Sequence, residues 1–132
     1  MPNTEAWAPK VLAILRIVAG LLLLEHATVK FFHFPMAMPM PGPLPPMIVA
    51  AGIIELVTGI LLTIGLFTRP AAFIASGLCA AAYFIGHFPK SFWPVINQGE
   101  PAILFCFIFL YLSFAGPGAW AIDNTRGRTA RA

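Results

Sequence analysis

Four titratable side chains, Glu25, His26, Lys30 and His33, stand within nine residues in the run LLLLEHATVKFFHFP (21–35), which otherwise has the composition of a membrane helix. A carboxylate, an ammonium and two imidazoles can pair as ions, pass protons or hold the polar end of a ligand. The spacing of His26, Lys30 and His33 is i, i+4, i+7, which places them on one face of a helix. A fifth group, Glu55, lies in AGIIELVTGILLTIG with apolar residues on both sides. An isolated, ionised carboxylate in such surroundings would cost several kcal/mol, so it calls for a partner. Lys30 and His26 have a compatible depth. The cluster supports two roles: a proton-handling or polar-ligand site, or a buried ion pair that only fixes helix register.

The elements that must position these groups follow from composition. Of 132 residues, 59% are apolar and 10% charged, against roughly half and about a quarter in a soluble domain. Four long apolar runs, about 9–32, 46–67, 70–88 and 100–116, approach the ~17–25 residues of a spanning helix. The expected fold is all-α: a single domain over 1–132, a bundle of four transmembrane helices. A soluble bundle is disfavoured because almost no polar face remains to meet water. The net charge of +3 is too small and scattered for nucleic-acid binding. The first run is too long for a cleaved signal peptide and reads as a retained anchor.

Four spans place both termini on one side. Lys10, Arg69, Arg126, Arg128 and Arg131 fall on that side, and Lys30 and Lys90 on the other. By the positive-inside rule both termini are cytoplasmic in an inner membrane. Trp7 and Trp120 would anchor the inner interface. LFTRPAA (66–72) forms a tight inner turn with Pro70 at the first position of the next helix. PMAMPMPGPLPP (35–46) is too rich in proline for helix and reads as an extended apolar cover. FPKSFWPVINQG (88–99) is a second outer loop. The tail at 124–132 is basic and expected to be mobile.

With this orientation every helix sends polar groups to one half of the membrane. Glu25, His26, Lys30 and His33 lie in the outer third of helix 1, and Glu55 about 12 Å into helix 2 at 1.5 Å per residue. His87 ends helix 3, while Asn97, Gln98 and Glu100 open helix 4. Gly52, Gly59 and Thr63 form a small-residue stripe that lets another helix approach. Glu100, beside Pro101, also suits a helix first turn, and His87 suits a polar helix end. Arg16 is expected to snorkel to the inner headgroups. Met36, Met38 and Met40 could in principle bind Cu(I), but read better as greasy filler, so no metal is expected. Cys79 and Cys106 lack C-x-x-C spacing and an activating cation, and read as inert buried thiols.

EHATVKF (25–31), AGIIELVTGILLTIGLFTRPAA (51–72), AYFIGHFPKSFWP (82–94) and NQGEPAILFCFIFLYLSFAGPGAWAID (97–123) together resemble the DoxX family of small four-helix membrane proteins. The resemblance covers most of the chain, with Ala27 where a glycine commonly follows the histidine. It implies recurrent polar positions at His26, Lys30, Glu55, His87, Asn97, Glu100 and Asp123, and a link to membrane redox complexes. The function expected from residues and resemblance together is an accessory or quinone-interacting subunit of a membrane redox system. Its polar pocket, drawn from Glu25, His26, Lys30, Glu55, His87, Asn97 and Glu100, would open outward. Quinone is the ligand such a pocket suits: apolar walls for ring and tail, a few polar groups for the oxygens. The expected partners are the bilayer and a membrane or redox protein, with a homo-oligomer open. The alternatives are a non-catalytic scaffold or assembly factor and, less favoured for want of an inverted repeat, a small-molecule transporter.

Overall fold

The computed structural model describes residues 3–131, with side chains through Arg126. Six helices follow in order: α1 (Thr4–Phe32), α2 (Pro46–Ile64), α3 (Thr68–Ala82), α4 (Pro94–Asn97), α5 (Glu100–Ala115) and α6 (Ile122–Arg131). A π-helical turn (Tyr83–His87) and a 3-10 turn (Phe88–Lys90) prolong α3. The described residues contain no strand.

Helix ends follow local chemistry. α1 begins five residues earlier than its apolar run, because the Asn3 side chain accepts the Ala6 N–H at 3.2 Å and Glu5 complements the positive helix end. It stops where His33 turns left-handed at φ 54°. His33 therefore leaves the face it was expected to share with His26 and Lys30. α2 opens on Pro46 and closes on Gly65 at φ 72°, the usual left-handed helix stop. That makes α2 shorter than the apolar run and leaves Glu55 as the tenth of its 19 residues, at the middle. α3 starts at Thr68, two residues before Pro70, and supplies no cap of its own. Asp123 provides one from 55 residues away: its carboxylate accepts the Phe67 and Thr68 N–H groups at 2.8 and 2.9 Å. Its own N–H donates to Gly65 O at 2.9 Å.

α1 packs along α2, α3 along α5, and α2 against α3, while α1 and α5 scarcely meet. The small-residue stripe sets the α1–α2 distance: a Cβ on Gly59 would lie 3.1 Å from Leu24 Cα. The core holds Leu23, Leu62, Phe109 and Leu112, with Ala71, Ala72 and Ala75 where α3 is close-packed.

Both termini lie at one end of the bundle, where the chain after α5 docks on α1 through Ala119 N–H to Pro9 O at 2.9 Å. Arg16 is fully buried there. It does not snorkel. Its guanidinium donates to the carbonyls of Leu62 (2.9 Å), Ala119 (3.2 Å), Trp120 (3.0 Å) and Pro117. Arg69 closes the same end by donating to the carbonyls of Ser113 and Phe114. The tail expected to be mobile has a helical backbone through Arg131, with Asp123 in its first turn.

Three stretches, Thr4–Phe32, Pro46–Ile64 and Thr68–Lys90, are long and apolar enough to cross a membrane. α5 is apolar but has 16 residues, about 24 Å, short of the ~30 Å hydrocarbon core. Residues 34–45 form no helix, and Phe34, Met36 and Met40 among them are exposed.

Candidate functional site

Lys30, near the end of α1, reaches across to the middle of α2. Its Nζ lies 2.8 and 3.1 Å from the two carboxylate oxygens of Glu55. The side chains are only 13% and 12% exposed. The Lys30 ammonium also reaches the His26 carbonyl oxygen at 3.5 Å. The partner that Glu55 required is thus present. The Phe31 ring and the Lys30 stem together require the small residue at Gly52: a Cβ would sit 2.6 Å from Phe31 Cζ and 3.1 Å from Lys30 Cδ.

The pair forms part of the wall of a groove of about 460 Å³ between α2 and α3. Ile48, Ile54, Leu78 and Ile85 make it apolar, and His87 is the third polar side chain on it. His87 is held from outside the groove: its Nδ1 lies 2.9 Å from the Asn97 carbonyl oxygen. A carbonyl only accepts, so Nδ1 carries the proton, and in the neutral ring Nε2 is left as an acceptor. Tyr83 stacks on the imidazole at 6.4 Å between centroids.

Asn97 is the knot behind this arrangement. It is almost fully buried. Its amide donates to Tyr83 Oη (3.2 Å) and to Ser91 O (2.9 Å), while its Oδ1 accepts the Gly99 N–H (2.7 Å). One amide thereby ties the π-turn, the following loop and the start of α5 together. The π-turn adds a residue to the helical turn, and such insertions re-aim side chains; here Tyr83 and His87 are its first and last residues.

Of the seven residues singled out in the sequence, Lys30, Glu55 and His87 line one groove, and Asn97 supports His87 without lining it. Glu25 and His26 are exposed on α1, away from the groove, and Glu100 is exposed on the first turn of α5. Tyr83 was not singled out. Its only sequence signal is the i, i+4 spacing to His87, which an apolar helix carries many times over. Cys79 is buried, Cys106 is half-buried and both are free thiols. Ser76 Oγ donates to Cys106 O at 2.7 Å, a helix-to-helix tie between α3 and α5. Among the described residues no group of three or more His, Cys, Asp or Glu side chains could hold a metal ion.

The DoxX family model matches residues 11–88. A relative described as an uncharacterized protein, from Haemophilus influenzae, is 46% identical over 129 residues, spanning 94% of this chain and 96% of its own. No solved structure matches. The chain belongs to the DoxX family. With its apolar helices, this makes it a multi-pass integral membrane protein.

Proposed function

We propose that the protein is an inner-membrane accessory subunit of a redox system, with both termini cytoplasmic, and that the α2–α3 groove holds a quinone-type headgroup. One observation carries this: an otherwise apolar groove, large enough for a small ring, presents a carboxylate–ammonium pair and one imidazole. The groove walls suit a ring and an isoprenoid tail. Glu55 keeps free lone pairs beyond those that Lys30 uses, and His87 offers Nε2. Both are acceptors, so the hydroxyl-bearing quinol is favoured over the oxidised ring. Such a ligand supplies two-electron, two-proton chemistry. The chain's own part is to orient the ring and accept its hydrogen bonds.

The test is equilibrium binding of a short-chain quinol to the purified protein. Saturable binding is expected, weakened about tenfold by His87→Phe, the loss of one hydrogen bond worth about 1.4 kcal/mol, and weakened also by Glu55→Gln and Lys30→Met. No saturable binding to the wild-type protein would remove the quinone proposal. A second function, a non-catalytic scaffold, is favoured by the fact that Lys30 and Glu55 already satisfy one another. On that account the same variants lose membrane abundance rather than affinity.

A further inference from the structure

The face of α1 turned away from α2 carries Val11, Leu15, Val18, Leu22, Glu25 and Phe32, all exposed. Their separations alternate between four and three and end in seven, the heptad seam of two helices wound side by side. Glu25 is the anomaly in that seam. It adjoins Leu24, whose backbone rests against Gly59, the fourteenth of the 19 residues of α2. Glu25 is therefore about 20 Å along α2 from its Pro46 end, level with the interior of a spanning helix and not with its ends. Its carboxylate has no partner among the described residues, nor has the exposed imidazole of His26 beside it. A carboxylate facing acyl chains is strongly disfavoured, and ionisable groups at such depth face protein or a polar cavity.

We propose that this face of α1 packs in parallel on α1 of a second copy of the chain, with the Glu25 carboxylate of each copy accepting a hydrogen bond from the His26 imidazole of the other. Charge and symmetry select the occupant. An acceptor and a donor side by side on one face are self-complementary, and a two-fold axis turns them into two reciprocal pairs. The register agrees: with Val11, Val18, Glu25 and Phe32 at the d positions, His26 falls at e, which a d residue meets on the facing helix. The surface also has relief. Because α1 and α5 scarcely touch, an apolar groove of about 250 Å³ opens between them along the seam, walled by the seam residues Leu15, Val18 and Leu22 and by Leu104 and Ile108 of α5. It can receive side chains of the incoming helix.

Disulfide cross-linking in native membranes tests the proposal, with the wild type as blank. Leu22→Cys is expected to give a product of twice the chain mass, and Val57→Cys, exposed on α2, is expected to give none. His26→Glu, which sets a carboxylate against the partner's Glu25, should lower the Leu22→Cys dimer at least tenfold. The swap Glu25→His with His26→Glu should restore it to within twofold. Failure of Leu22→Cys to cross-link, cross-linking to a protein of another mass, or an equal dimer yield in His26→Glu would each overturn it.

Discussion

Arg16 and Lys30 lie on one helix, both largely withdrawn from solvent, and are satisfied in opposite ways. Arg16 spreads its planar donors over four backbone carbonyls, and no carboxylate among the described residues pairs with it directly. Lys30 concentrates its charge on one carboxylate. The first arrangement uses the shape of the guanidinium; the second depends on both partners being present. Removing one partner of a buried pair costs about 3–5 kcal/mol, because the other charge is stranded, whereas removing both is often close to neutral. Lys30→Met alone should therefore destabilise the protein by about 3 kcal/mol or more. Lys30→Met with Glu55→Leu should recover most of the loss. Unfolding of the purified single and double variants in mixed detergent reads this directly. Strictly additive losses would mean that the two side chains are not coupled. Of these residues, the need of Glu55 for a partner was legible in the sequence, because a carboxylate amid apolar neighbours poses only that question. The fate of Arg16 was not. An arginine in the inner half of a membrane helix reads as a snorkelling group unless the carbonyls that receive it, 46 to 104 residues away, are already known.

At the scale of elements, proline made helix starts legible: Pro46 opens α2, and Pro101 sits in the first turn of α5. The stop at Gly65 was hidden because the apolar run continues to residue 67. The start of α3 was obscured because its cap is not local. Phe67 is left-handed, at φ 50°, and offers no capping side chain. Asp123 does the work across the bundle and also carries Arg126 at 4.0 Å. The π-turn at Tyr83–His87 was equally hidden: the residues seated against Tyr83, Asn97 and Gly99, come from beyond the following loop. The Asp123 cap has a measurable consequence. Asp123→Ala should destabilise by about 1 kcal/mol, as loss of a side-chain cap does, and should expose the 65–68 turn. Asp123→Asn keeps one of the two acceptor oxygens and turns an NH2 donor toward the other N–H, so it should lose an intermediate amount. Proteolysis near Arg69 reports the exposure, and a turn cut no faster in Asp123→Ala would show that the cap does not hold α3.

For the molecule as a whole, asymmetry between its ends is the organising feature. The terminal end is locked by Arg16, Arg69 and Asp123, each bonded to backbone from a distant part of the chain. The opposite end carries a long stretch without helix and the mouth region of His87. A closed base, with polar side chains toward the other end, suits a groove that admits a ligand from one side. Which side that is depends on orientation: in the one proposed above, the locked end with Lys10 and Arg69 is cytoplasmic, as the positive-inside rule favours. Single cysteines distinguish the ends, because the native thiols are buried or half-buried. Pro41→Cys, in the exposed stretch before α2, should react with an impermeant maleimide on intact cells. Glu5→Cys, in the first turn of α1, should react only after lysis. The reverse pattern would turn the groove's far end to the cytoplasm. The ligand would then enter from the cytoplasmic side, while the fold and the ion pair stand as they are.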